Sequence, residues 1–522
     1  MSDATLCMIV LALVVVLFVW NRLPVEVVAL GSGVALLGLG VIEPDDIAAG
    51  FGSPVVLFIA TLFVVSEGLS ATGVTTWAGQ RLIGAVGGSK GRLLVLTMLL
   101  TAAITALISA VGAVAALLPM AVVLAVRLGR SPSALVMPMV FAGHAGSLLA
   151  LTGSPINVLV SEAAEESSAA RPFGFWEFAY AGVPLVAGTI LISVLLGRRL
   201  VPERTPRSIP PDLSRHARTL VRQYGLDEDA VLLSRELGVA EVLVVPRSPL
   251  IGDTVFPGMT TDSGDLAILA VQRKGHDLGP EPATLAAGDV LLVQGTWRAL
   301  DRNIDPSEVR VVDSPGMVRR QAVPLSRGAW SAIAVLAGMV ALLASGATSP
   351  AVAGLLAAGA MVCLRVLPVT QAYDAVSWTT LVIVAGMLPL SAAIQGSGAA
   401  DRIADLVVAF SGGEGYPLLL GVFLLTAALG QVISNTATTL IVLPIALAAA
   451  QDAGISPLPV LMCVAIAAAA AFLTPIATAA NLMAMEPGGY RFGDYWRLGL
   501  PMLSWYLAVA VGIVPLVWPL HP

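Results

Sequence analysis

Ser434, Asn435 and Thr436, with Thr438 and Thr439 close behind, interrupt an apolar stretch that runs from about 416 to 450. Further on, Thr474, Pro475, Thr478 and Asn481 interrupt a second one at about 457–484. Hydroxyl, amide and backbone carbonyl oxygens can hold a small cation without adding a fixed charge, while N–H and O–H groups at helix starts can hold an anion. In hydrocarbon such groups are costly unless hydrogen-bonded or turned toward a cavity. Two interrupted apolar segments that can meet near mid-membrane form the pattern of a secondary transporter's binding site.

The rest of the chain reads as a frame for that site. Its 522 residues are 57% hydrophobic and 12% charged, with a formal net charge of −6 and a mean hydropathy of +0.88. Apolar runs of about 17 or more residues recur, which a soluble core does not need. The fold class expected is a polytopic α-helical membrane protein. Cys7, Cys363 and Cys463 all fall in apolar runs with no metal-ligand spacing, and read as small core residues. The apolar run from residue 4 lacks a basic start and a small-residue cleavage site, so it reads as a first span.

Spans are expected at 4–20, 25–42, 54–73, 134–160 and 174–197, then at 329–346, 350–367, 379–395, 457–484 and 500–519. Segments 93–127 and 416–450 read as re-entrant hairpins. A shift of 325 carries span 4–20 onto 329–345, Ile108-Ser109 onto Ile433-Ser434 and Leu118-Pro119 onto Leu443-Pro444. A shift of 324 carries Leu149 onto Leu473 and Asn157 onto Asn481. So many landmarks at nearly one offset predict two repeats. With five crossings plus one hairpin each, the copies are inverted, with both termini external. Loop charge agrees. Arg22, Arg92, Arg127, Arg198, Arg365 and Arg497 fall on one side, and Glu43, Asp45, Glu162, Asp401 and Glu414 on the other, with Arg171 and Arg402 as external exceptions to the positive-inside rule.

The three expected regions are a first membrane repeat over 1–200, an insert over 201–327 and a second repeat over 328–522. Basic flanks place the insert in the cytoplasm. Inside it, VAEVLVVP, DLAILAVQRKG and DVLLVQG alternate like strands between Gly, Pro and Asp turns. They predict a small α+β module at about 237–303, tied to the membrane part by a polar, helix-prone piece at 212–236.

Three stretches, ISNTATTLIVLP (433–444), LTGSPINVLVSE (151–162) and LTPIATAANLMAMEPGGYRFGDYWRLGLP (473–501), resemble the divalent anion:sodium symporter family of the ion transporter superfamily. That group includes dicarboxylate, citrate and sulfate carriers. The insert resembles a C-terminal regulator-of-potassium-conductance (TrkA-C-like) module through VVPRSPLIGDTV (244–255) and AGDVLLVQG (287–295). The resemblance implies sodium between hairpin tip and broken loop in each repeat, the anion between the two tips, and elevator-type alternating access. Carried onto this chain, substrate contacts fall on Ser109, Gly112, Ser154, Pro155, Ser434, Asn435, Thr436, Thr474 and Pro475. Cation contacts fall on Ser434, Asn435, Thr436, Thr478, Asn481, Thr152, Gly153 and Asn157. The first tip departs from the pattern: it reads Ser109-Ala110-Val111, and Ala and Val bring no side-chain oxygen.

His144 sits just before the first broken loop with Ala468 at its repeat position, and is a candidate proton carrier. Glu67 is an intramembrane charge with Arg81 or Arg92 as candidate partner. Tyr490, Trp496 and Arg497 read as an interfacial anchor. The function expected is secondary active transport of a small, divalent anion across a bacterial-type cytoplasmic membrane, with sodium or a proton as coupling ion. A ligand-gated channel and a cation/proton antiporter are the competing classes, but there is no filter motif and no Asp well inside a span. No Gly-rich phosphate loop, triad or metal cluster suggests an enzyme. No cofactor beyond the coupling ion, no metal beyond sodium and no nucleic acid is expected. The resemblance adds a homodimer, and the insert a small regulatory ligand.

Overall fold

The computed structural model describes residues 2–20, 22–74, 77–78, 90–127, 131–167, 169, 171–202, 204, 237–246, 248–261, 264–273, 276–279, 281–296, 299–300, 309–311, 328–411 and 414–521. They divide into two compact units, 1–209 with 327–522, and 210–326.

The first unit is helical. Asp3–Trp20, Pro44–Ala71, Ala179–Gly197, Trp378–Gly396 and Phe492–Val517 are long and apolar enough to cross a membrane, and shorter apolar helices accompany them. Leu13, Val16, Leu191, Leu195, Leu355 and Leu356 stand exposed on such helices. In water that would be a liability, whereas beside lipid it has no cost.

The hairpins form as Lys90–Leu107 with Ala110–Arg127, and as Gly415–Gly430 with Asn435–Asp452. The broken spans form as Ser133–Gly146 with Pro155–Glu166, and as Pro457–Ala469 with Ala479–Met485. Each descends from a Ser or Thr that caps the second piece. Ile156 N–H donates to Ser154 Oγ (3.3 Å), and Asn481 N–H to Thr478 Oγ1 (3.1 Å).

Two short helices, Pro44–Gly52 and Val369–Ala375, stand where only loops were expected. Glu43 and Asp46, read from the sequence as loop charge, form a capping box at the first. Pro44–Gly52 is set off at Ser53 from the longer Pro54–Ala71, and Val369–Ala375 is only 7 residues long.

Packing crosses between the halves. Helix Val25–Gly38 packs on Trp378–Gly396, and Pro54–Ala71 on Pro350–Cys363. Likewise Pro155–Glu166 packs on Pro457–Ala469, and Ala479–Met485 on Ser133–Gly146. Each contact is the image of its companion under the shift near 325. The same holds for two glycines. A Cβ at Gly182 would run into the carbonyl oxygen of Leu148, and one at Gly499 into that of Phe472. Leu148 and Phe472 correspond under the shift of 324. Each final helix therefore lies with bare backbone against a broken loop.

Cys7 and Cys463 are buried as expected, while Cys363 is exposed at the end of its helix, so the core reading fails there. Tyr490 is no interfacial anchor. It is buried, accepts from Met137 N–H (2.8 Å) and donates to Ser133 O. Trp496 is exposed.

The second unit contains an antiparallel sheet built from β1 (Leu237–Val244), β3 (Leu266–Arg273), β4 (His276–Asp277), β6 (Val290–Thr296) and β7 (Val309–Val311), in the order β4-β3-β6-β1-β7. Strands β2 (Thr254–Val255) and β5 (Ala283–Thr284) pair separately. The strand-like runs of the sequence supply β1, β3 and β6; the helix-prone piece at 212–236 lies outside the described residues. Val242, Val244, Ile268, Val271, Leu291 and Val293 form the core of this unit.

Arg273 grips Asp289 in a fork, Nε to Oδ1 and Nη2 to Oδ2, both 2.7 Å, and Ala286 N–H adds a third bond. Those hydrogen bonds hold the Asp289 carboxyl below its ordinary value of 3.8. A lowered folded value stabilises the unit above the ordinary carboxylate range, and the gain is lost as pH falls through the folded value.

Two predictions follow from these contacts. Opening free energies from amide exchange in β3 and β6 of the full chain should fall as pH drops below about 4, and Asp289→Asn should flatten that dependence. Gly182→Val and Gly499→Val should each lower stability by about 1–3 kcal/mol or prevent folding, measured as melting temperature and folded yield, while Gly197→Val, which meets no atom, should not.

Candidate substrate and cation site

Breaking a helix inside a membrane frees carbonyls that no water reaches, so something in the chain must take them up. In both broken loops it is an asparagine. Asn157 Nδ2 donates to Ser147 O (2.7 Å) and Ala150 O (2.9 Å). Asn481 Nδ2 donates to Ala471 O (2.7 Å) and Thr474 O (3.1 Å). The four carbonyls match pairwise under the shift of 324, and both asparagines are 0% exposed.

Each loop is also tied to its hairpin tip. Thr152 Oγ1 donates to Ala106 O (3.1 Å), and Thr474 Oγ1 to Gln431 O (2.8 Å). Ala106 and Gln431 correspond under the shift of 325. Different loop threonines thus reach the same tip carbonyl.

At the tips, Gly112 N–H donates to Ser109 Oγ (3.3 Å) and Ala437 N–H to Ser434 Oγ (3.4 Å). Both serines cap the second helix of their hairpin, and these two 18-residue helices, Ala110–Arg127 and Asn435–Asp452, start at the tips. Ser434 is exposed, Asn435 and Thr436 half-buried, and Pro475 buried. Ser109, Thr152 and Pro155 line one cavity with Ile59, Leu62, Phe63, Leu107 and Ile108. Gly153 is buried in the turn Leu151–Gly153, where its N–H donates to Ala150 O (3.1 Å).

The halves meet through His144. Its Nε2 lies 3.0 Å from Asn481 Oδ1 and 3.4 Å from Thr478 Oγ1. Both amide hydrogens of Asn481 are spent on carbonyls, so its oxygen faces the imidazole and Nε2 carries the proton. The ring of Phe472 stands edge-on at 5.8 Å.

Three features escaped the sequence reading. Gln431 Nε2 donates to Ala427 O (3.0 Å) and Ala470 O (3.1 Å), and its Oε1 accepts from Leu473 N–H (2.8 Å). A lone amide in an apolar run was the signal. Arg204, in the lead into the second unit, forms an ion pair with buried Asp494 (3.0 Å), and its N–H donates to Ser131 Oγ and Ser133 Oγ. Next along the chain, Tyr495 OH donates to Asn481 O (2.6 Å). The clasp at Arg204 is thereby one residue from a group that holds the site. Glu67 accepts from Gln371 Nε2 (3.0 Å), a partner the sequence did not name; Arg81 lies outside the described residues.

The citrate transporter family, CitMHS, matches residues 15–408 and 390–520. YfbS of Escherichia coli (strain K12), named an uncharacterized transporter, is 31% identical over an alignment that covers 98% of each chain. Uncharacterized transporter sll0640 of Synechocystis is 27% identical over 99% of this chain and 97% of that one. Probable sodium/sulfate cotransporter 3 of Chlamydomonas reinhardtii is 27% identical over 56% of this chain and 33% of its own length. The chain belongs to the citrate transporter family and is an integral membrane transporter.

Replacing Gln431 by Leu strands buried backbone groups, each worth about 1–3 kcal/mol. The purified Gln431→Leu protein should melt several degrees lower and lose anion-dependent stabilisation, whereas Gln451→Leu, at the exposed end of its helix, should leave both unchanged.

Proposed function

We propose that this member of the citrate transporter family is a secondary active carrier of a small divalent anion, a dicarboxylate, citrate or sulfate, coupled to sodium or a proton. The observation that carries the reading is the pair of asparagine-stitched loops, each tied to a hairpin tip, in halves that pack crosswise. Such a site is built from neutral oxygens, N–H groups and helix starts. It offers a cation and an anion complementary partners while carrying little charge of its own. The name of the Chlamydomonas relative, a probable sodium/sulfate cotransporter, points the same way.

Ser434, Asn435 and Thr436 are the anion's main contacts in this reading, with Ser109, Gly112, Ser154, Pro155, Thr474 and Pro475 around them. Thr152, Gly153, Asn157, Thr478 and Asn481 serve the cation, and His144 is the candidate proton carrier. The crosswise packing of shift-related helices supports two inverted repeats and elevator-type movement of the hairpins against the frame. We place the second unit in the cytoplasm as a TrkA-C-like regulatory module that takes a small ligand, and the protein in the membrane as a homodimer.

Transport is tested in proteoliposomes with labelled citrate, succinate and sulfate under imposed sodium or proton gradients. Saturable uptake of at least one anion should collapse when the gradient is dissipated. Asn435→Ala should lower kcat/KM roughly tenfold or more. Flux that ignores both gradients would turn the reading toward a channel, and His144→Ala with an unchanged pH profile would remove His144 from coupling.

A further inference from the structure

The two hairpin tips match in backbone and differ in chemistry. Under the shift of 325, Ala110 and Val111 stand where the second half has Asn435 and Thr436. Both tips open an 18-residue helix, so the N–H groups of a first turn are on offer at each. Beyond Ser109, though, the first tip brings no polar side chain, and its Val111 is 41% exposed.

A cavity adjoins this tip through Ser109. Ile59, Leu62 and Phe63 of helix Pro54–Ala71 line it together with Leu107 and Ile108 of the hairpin. Thr152 and Pro155 of the broken loop complete the lining, and no charged side chain contributes. Both hydroxyls are engaged: Ser109 Oγ accepts from Gly112 N–H, and Thr152 Oγ1 donates to Ala106 O. A carboxylate pushed into that space gives up water and finds no opposite charge, whereas an alkyl group gains by entering. The helix stands close to the tip, since a Cβ at Gly112 would come within 3.4 Å of Ser66 Oγ.

The matching place in the second half is covered by protein. Leu62 corresponds to Met387 under the shift of 325; Leu62 is half-buried at the cavity, and Met387 is 1% exposed. Helix Trp378–Gly396, which carries Met387, packs on Asn435–Asp452, the helix that starts at the second tip. The apolar cavity and the missing polar pair therefore fall on the same half.

We infer that this cavity takes an apolar branch of the transported anion, so that the carrier selects short alkyl-substituted dicarboxylates over sulfate and citrate. The inference rests on the proposed placing of the anion between the tips, and adds which anion it is. One carboxylate meets Ser434, Asn435 and Thr436, the other meets the N–H groups where Ala110–Arg127 starts, and the branch enters among Ile59, Leu62 and Phe63. Sulfate has no carbon to place there. Citrate brings a hydroxyl and a third carboxylate, which this lining does not satisfy. Leu62 and Phe63 are thus specificity-determining residues, and Ala110 and Val111 withhold the side-chain donors that suit a compact, evenly charged anion.

The test is thermal melting of the purified full chain in sodium chloride at neutral pH and equal ionic strength, with succinate, methylsuccinate, ethylsuccinate, citrate and sulfate as probes. A ligand of the folded state raises the melting temperature by mass action, so the concentration that gives a fixed rise ranks the anions. That concentration should fall roughly fourfold for each carbon added from succinate to ethylsuccinate, with sulfate and citrate weakest. Leu62→Phe, which fills the cavity, should reverse the series, leaving ethylsuccinate weaker than succinate. Ala110→Asn with Val111→Thr, which copies the second tip onto the first, should lower the concentration needed for sulfate about tenfold.

A flat or rising series in the wild type would overturn the inference, and so would a falling series that Leu62→Phe leaves untouched. Should Leu62→Phe fail to fold, the double variant at the tip decides: no gain for sulfate sinks the idea. Gradient-driven uptake of succinate or sulfate by proteoliposomes beside a flat series would remove this inference alone. A falling series without gradient-driven uptake would remove the coupled-transport reading alone.

Discussion

A helix that breaks inside the packed protein leaves carbonyls that no water reaches, and the two buried asparagine side chains that collect them are what the rest of this protein depends on. Each replaces the missing turn with two hydrogen bonds from one amide. Once the loop is held, its threonine can reach the hairpin tip, and the tip serine can cap the helix that follows. A helix break in lipid is tolerated only where protein satisfies it. An amide that gives both hydrogens away presents its oxygen elsewhere.

That oxygen explains why the two halves need each other. Asn481 turns to the first half for its donor, and Gly182 and Gly499 let the final helices lie directly on the loop carbonyls of Leu148 and Phe472. Close backbone approach through small residues is how helices associate where no hydrophobic effect separates lipid from protein. The clasp of Arg204 on Asp494 adds a charged bond to that frame, placed where the chain leaves for its second unit. The main-chain oxygen of Asn481 is held by Tyr495, the residue after Asp494.

Local chemistry made most of the frame legible in the sequence. The breaks at 108–109 and 431–434, the loops at 147–154 and 470–478 and three strands of the second unit all follow from interrupted periodicity and turn residues. Ser109, Ser154, Ser434 and Thr478 were legible as polar residues at breaks, though their caps show that holding helix starts is part of their work. What stayed hidden was mostly long-range. Gln431 reaches residues 39 and 42 positions away, and Arg204 pairs across 290. The correspondence of Gly182 with Gly499 was masked because the second half is several residues shorter just before its final helix, which breaks the common offset. Helices Pro44–Gly52 and Val369–Ala375 were missed because one turn or two of mixed polarity carries no span-length signal.

For the coupled transport proposed above, a site with so little charge has a consequence. Neutral oxygens bind a bare cation weakly in the absence of an anion, and N–H groups hold a dianion weakly in the absence of a cation. Filling one sub-site raises the affinity of the other through their mutual attraction across a medium of low dielectric. That differential affinity is the whole of thermodynamic coupling, since an ion that bound equally well with and without the anion would shift nothing. Had Asp or Glu stood at the positions of Asn157 or Asn481, the cation would be held regardless of the anion. In the coupled transport proposed above, amide rather than carboxylate at these two positions leaves an obligatory pairing of ion and substrate physically attainable.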